Sequence, residues 1–196
     1  MTQKMTSKDA KLRWYDGTAT PYYLEFDLDS GDFNGPIGTP LTEEILVLDR
    51  GNMNANAIYM ESSDAPMMAP VPVTFSVMVT DSTLFTYILD WLDAMNDALA
   101  TTVNAHTLVS TEQDSQRDGA TNNPVFADAN KSTCNIEYLL TMTGTDLGWK
   151  YIDVRYDRDK QPFAESEDGI ILTCNGMCYG TITRLTSFTA GTSIEA

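Results

Sequence analysis

The sequence predicts a mainly β protein: an antiparallel β-sandwich or barrel with one flanking α-helix over about residues 81–99, and long loops. Three observations lead there. Runs of alternating apolar and polar residues recur along the chain, a single stretch carries a helical period, and Gly, Pro, Asn and Asp punctuate the intervals. The alternating runs are too dispersed for a doubly wound fold, and no phosphate-binding glycine loop is present. At 196 residues and 42% hydrophobic content the chain is expected to form one domain, 1–196, with an N-terminal arm (1–10) and a long loop (50–70).

Taken in order, a strand over Lys11 to Tyr15 stops at the turn residues Asp16 and Gly17. Tyr22, Leu24, Phe26 and Leu28 then alternate with Tyr23, Glu25, Asp27 and Asp29, so one strand face is apolar and the other increasingly acidic. A loop rich in Gly, Pro and Asn runs from Ser30 to Pro40, followed by a short strand over Glu43 to Asp49. Arg50 to Pro70 has no sustained period and holds Met53, Tyr59, Met60, Met67 and Met68. A loop this long with adaptable thioether side chains suits a partner contact. Val71 to Val79 is the clearest strand, with Val and Phe at every odd position.

The helix follows at once. Leu84, Ile88, Trp91, Leu92, Met95 and Leu99 fall on one face, which is the expected core face, and Thr86, Asp90, Asp93 and Asp97 fall opposite. Asp81, Ser82 and Thr83 are the candidate N-caps. A weaker strand is expected over Val103 to Thr111, then a polar stretch from Glu112 to Lys131. Cys134 to Met142 and Trp149 to Asp157 read as a hairpin. Ile170 to Cys174 and Met177 to Phe188 read as a second hairpin, turning at Asn175-Gly176.

Composition limits function. Asp and Glu outnumber Lys and Arg 28 to 12, for a net charge of −16, which excludes nucleic-acid binding by phosphate neutralisation. No apolar segment is long enough to span a bilayer, and the polar start lacks a signal-peptide core, so a soluble, unexported chain without membrane partners is expected. Cys134, Cys174 and Cys178 are too few for a disulfide framework. A hairpin at Asn175-Gly176 would point Cys174 and Cys178 to opposite faces, so reduced packing thiols are expected rather than a metal pair.

Catalysis has little to stand on. The chain's one histidine, His106, has no nucleophile motif beside it, and no enzyme activity or catalytic residue is assigned. Asp27, Asp29, Asp32 and Asn34 suggest a calcium loop, but Gly38 stands where the closing carboxylate should be. No metal or cofactor is expected.

Several stretches resemble a family of long-tailed bacteriophage virion proteins. They are Trp14-Tyr15-Asp16-Gly17-Thr18, Tyr23-Leu24-Glu25, Gly31-Asp32-Phe33 and Glu43 to Gly51, with Glu165 to Gly169, Tyr179 to Arg184 and Phe188 to Thr192 near the other end. The overall architecture is similar to that of tail tube subunits. This resemblance implies a structural virion protein made in the host cytoplasm and assembled as hexameric rings that stack into a tube. Tape measure protein and tail terminator are the implied partners, and DNA passes without specific binding. By position, the 50–70 loop matches the loop that reaches the neighbouring ring. Glu25, Asp27 and Asp29 are then the candidate lumen-facing acids, with the helix stripe as the alternative. Two other readings stay open: another virion part, such as a tail terminator or head decoration protein, and a carbohydrate-binding β-sandwich module using Trp14, Tyr15, Tyr22 and Tyr23.

Overall fold

A computed structural model describes residues 10–28, 32–38, 70–79, 81–96, 102–108, 111, 133–141, 145–157, 160–166 and 169–195. Among them the strands are β1 (Ala10–Tyr15), β2 (Tyr22–Leu28), β3 (Phe33–Asn34), β4 (Val71–Val79), β5 (Thr102–Val103) and β6 (His106–Thr107). They continue with β7 (Cys134–Leu140), β8 (Leu147–Tyr156), β9 (Phe163–Ser166), β10 (Gly169–Cys178), β11 (Ile182–Leu185) and β12 (Thr192–Ser193), and the helix is α1 (Ser82–Asn96). The described residues are thus mainly β with a single helix.

Ten strands form one sheet in the order β12-β2-β1-β7-β8-β10-β4-β3, with β9 on β10 and β11 on β8, while β5 and β6 make a separate hairpin. The sheet has two ends, so among the described residues it is not a closed barrel. It bends over its own inner face instead. Phe26 on β2 and Phe75 on β4 have four strands between them in the order, yet their rings lie 5.8 Å apart. Period-two alternation supplies that inner face: Leu12 and Trp14, Leu24 and Phe26, Val73, Phe75 and Val77 are all buried. Trp14 is the hub, with Phe26, Phe75, Tyr156 and Trp91 of α1 at ring distances of 5.2, 5.4, 5.3 and 5.9 Å.

The helix starts where the sequence puts it. Asp81 Oδ1 accepts hydrogen bonds from the backbone N–H groups of Thr83 at 2.7 Å and Leu84 at 2.8 Å, an N-cap for α1. Ile88, Trp91 and Leu92 are buried and Leu84 packs against the core, as expected of the apolar face. Asp90 and Asp93 are half-buried. The side chain of Met95, with Asp97 and Leu99, lies outside the described residues. So do the arm over 1–9, the strand over Glu43 to Asp49 and almost all of the 50–70 loop.

One hairpin is overturned. Asn175-Gly176 does not turn; it sits inside β10, which pairs with β4 from Ile170↔Val79 to Cys178↔Val71. Two contacts make this possible. The Gln161 side chain accepts the Asn175 N–H at 2.5 Å and donates to the Asn175 carbonyl at 3.0 Å, filling the ladder position between β8 and β9. At Gly176 a Cβ would sit 2.6 Å from the Tyr156 ring, so the glycine is there for close approach rather than for a turn. Because β10 is continuous, Cys174 and Cys178 share its inner face instead of opposing faces, and both are buried and unbridged. Burial pushes the Cys178 thiol up to about 12 and raises Cys134 and Cys174 as well, so all three stay protonated and unreactive. β9 pairs with the start of β10, Ser166 standing opposite Gly169.

Elsewhere the differences are smaller. The weak strand over Val103 to Thr111 is instead the β5–β6 hairpin, turned through Asn104 and Ala105 at φ of 44° and 63°. The β7–β8 hairpin forms as read, interrupted by a bulge between Cys134 and Ile136. There Asp153 takes φ of 54° and is buried, its carboxylate accepting from the hydroxyls of Thr111 at 3.1 Å and Thr133 at 3.3 Å. Thr111 N–H also donates to the Thr133 carbonyl, which holds these two residues side by side.

Candidate functional site

The most developed polar arrangement lies on the outer face of β2, β1, β7 and β8. Cross-strand register places Glu25 opposite Arg13, Arg13 opposite Glu137, and Glu137 opposite Lys150. Charges therefore alternate across four strands in one row. Arg13 Nε donates to Glu25 Oε2 at 2.6 Å, and Lys150 Nζ lies 3.0 Å from Glu137 Oε1. In the next row Lys11 sits opposite Asp27 and also reaches Glu25 at 2.5 Å. Three cations thus meet three carboxylates, in geometry that cross-strand pairing stabilises.

A C-terminal strap lies across this row. Glu137 is fully buried, and its carboxylate accepts from Thr189 N–H at 2.8 Å and Thr189 Oγ1 at 2.5 Å. Tyr15 Oη donates to the Thr189 carbonyl at 2.7 Å. The Arg13 guanidinium is held between two rings, 4.2 Å from the centroids of Tyr23 and Phe188. Farther on, Thr192 pairs parallel with β2, Ile194 N–H donates to the Tyr23 carbonyl, and the Ile194 side chain is buried in the core. Asn104 of the β5–β6 turn donates to the Ile194 carbonyl at 2.5 Å. Gly191 fits beneath because a Cβ there would meet the Pro21 carbonyl at 2.4 Å.

Electrostatics follow from this packing. Burial alone would raise the Glu25 carboxyl, but hydrogen bonds from Lys11 and Arg13 outweigh it and hold Glu25 below the ordinary range. Lys11 is raised in return, chiefly by its bond to Glu25. A carboxyl depressed by folding stabilises above its unfolded pKa, and that contribution disappears as pH falls through the folded value. The advantage of wild type over Glu25→Gln is therefore expected to be constant near neutrality and to shrink below about pH 4. Thermal midpoints of both proteins between pH 7 and pH 3 check it.

The residues expected from sequence are distributed as follows. Glu25 and Asp27 share the acidic face of β2, with Glu25 ion-paired and Asp27 86% exposed, 3.5 Å from Lys11; Asp29 lies outside the described residues. The face is acidic in β2 alone. Once β1 pairs with it, Lys11 and Arg13 bring equal positive charge, which the period of β2 cannot reveal. Met53, Tyr59, Met60, Met67 and Met68 lie outside the described residues. Trp14 and Tyr15 are buried, the Tyr22 ring lies tilted against His106 at 4.6 Å, and the Tyr23 ring carries the Arg13 guanidinium. Glu137, Lys150 and Thr189 went unnoticed in the sequence, where no periodic signal separates a buried Glu from an exposed one. Among the described residues no group of three His, Cys, Asp or Glu side chains is placed to hold a metal ion, and no helix is long and apolar enough to cross a membrane.

No protein-family model matches the chain, and no curated protein matches it. Among solved structures it is similar to a chain of the six-fold symmetrised cryo-EM structure of the anti-feeding prophage baseplate. That similarity has 11% identity and a TM-score of 0.45, covering 95% of this chain and 98% of the other.

Proposed function

We propose that this chain is a structural, non-enzymatic subunit of a long-tailed phage virion, and specifically a tail tube protein whose hexameric rings stack. The observation that carries the reading is where the resembling stretches lie. Trp14 to Thr18, Tyr23 to Glu25 and Phe188 to Thr192 are far apart in sequence, yet they build one arrangement: the core hub, the charged row and the strap across it. A mainly β fold with a single helix supports the same reading. The exposed end of the row, Lys11 with Glu25 and Asp27, also suits a wall past which DNA slides, because a lysine already engaged by carboxylates has little free charge to offer phosphates. Tape measure protein and terminator are the partners this role requires.

Electron microscopy of the purified full chain tests the proposal. Stacked rings forming tubes are the expected result. Single rings that never stack would make the protein a terminator instead, and a monomer at every concentration would reject the tube role. Deleting residues 52–63 is expected to leave the thermal midpoint near wild type while rings fail to stack; normal tubes from that deletion would remove the loop from the inter-ring contact.

A further inference from the structure

The outer face formed by β4 and β10 differs from the rest of the molecule. In a chain that is 20% charged, Val71–Val79 and Gly169–Cys178 contain no Asp, Glu, Lys or Arg. Four large hydrophobic residues are exposed among the described residues, and two of them, Met78 and Met177, lie on this face; Phe163 stands opposite the buried Leu172 and so points to the other side of the sheet. Met78 stands opposite Ile171 and Ser76 opposite Thr173, the hydroxyls of the latter pair 3.1 Å apart. Pro72, opposite Met177, carries no N–H. The result is a neutral ribbon of thioether, methyl and hydroxyl groups.

We propose that this ribbon is the surface through which one copy of the chain packs against another. The inference rests on the assembling role proposed above and names the face that does it. Charge selects the occupant. Two copies at −16 each repel wherever carboxylates would meet, and the repulsion is long-range only to about one Debye length, near 8 Å at physiological salt. On this ribbon no carboxylate of β4 or β10 has to be desolvated against its like, so a second acidic chain can dock there. A basic partner would be steered to the acidic surfaces instead. Methionines at both ends of the ribbon can adapt their shape to a partner surface.

The test uses the full chain. In Met78→Glu/Met177→Glu both substituted side chains are already solvent-exposed, and the concentration at which the protein associates, read by sedimentation velocity, is expected to rise at least tenfold. A second measurement needs no variant: in wild type, peroxide oxidation of Met78 and Met177, followed by mass spectrometry, is expected to slow several-fold on association. Association of the double variant at wild-type concentrations, or equal oxidation rates in free and associated protein, would overturn the inference and leave the assembling role standing. A wild-type chain that stays monomeric at every concentration would overturn both.

Discussion

Trp14→Ala is expected to lower unfolding stability by about 3–5 kcal/mol, the range for truncating a fully buried tryptophan. The indole contacts Phe26, Phe75, Tyr156 and Trp91, so its removal opens a void where β1, β2, β4, β8 and α1 converge. Neighbours on four other elements cannot all relax into one gap. Against a total stability of about 5–15 kcal/mol for a domain, the loss would bring the protein close to unfolding at physiological temperature. Urea unfolding measures it, with Trp14→Phe as the milder comparison expected to retain more than half of the difference. A loss under about 1 kcal/mol would mean that the core is organised around another residue.

Glu137→Ala is the second. The substitution removes the acceptor for Lys150 and for both donors of Thr189, and it empties the centre of the charged row. Losing one partner of a buried ion pair costs about 3–5 kcal/mol; Lys150 retains some exposure and can recover water, which puts the expected loss near the lower end. Glu137→Gln keeps the shape and part of the hydrogen bonding, so a loss of about 1–2 kcal/mol is expected there. The strap supplies a separate readout. With two of the hydrogen bonds to Thr189 gone, trypsin should reach Arg184, at the base of the strap, faster in Glu137→Ala than in wild type. Unchanged cleavage together with unchanged stability would show that Tyr15, Thr192 and Ile194 hold the strap without Glu137.

How much of this was legible in the sequence varies by element. β4 was read to its ends because Val71 to Val79 alternates without interruption, and an alternating run is a local property. The start of α1 was legible for the same kind of reason: a capping carboxylate acts within three residues of itself. Asn175-Gly176 misled because the dipeptide that permits a tight turn also permits a tyrosine ring to lie against the backbone. Gly176 serves Tyr156, a residue of another strand.

The candidate site was half visible. Glu25 and Asp27 could be assigned to one face of β2 from period alone, but the sign of the surface they make depends on β1, which sets Arg13 and Lys11 beside them. The sequence by itself determined the class of fold, one helix with its buried face, and which face of each strong strand turns inward, since all of these follow from periodicity and apolar content within a few residues. Only the tertiary structure decided the strand order, the continuity of β10, the burial of Glu137 and the path of the C-terminal strap. Those depend on which distant segments pair, and pairing is set by the summed burial and register of the whole sheet rather than by any local preference.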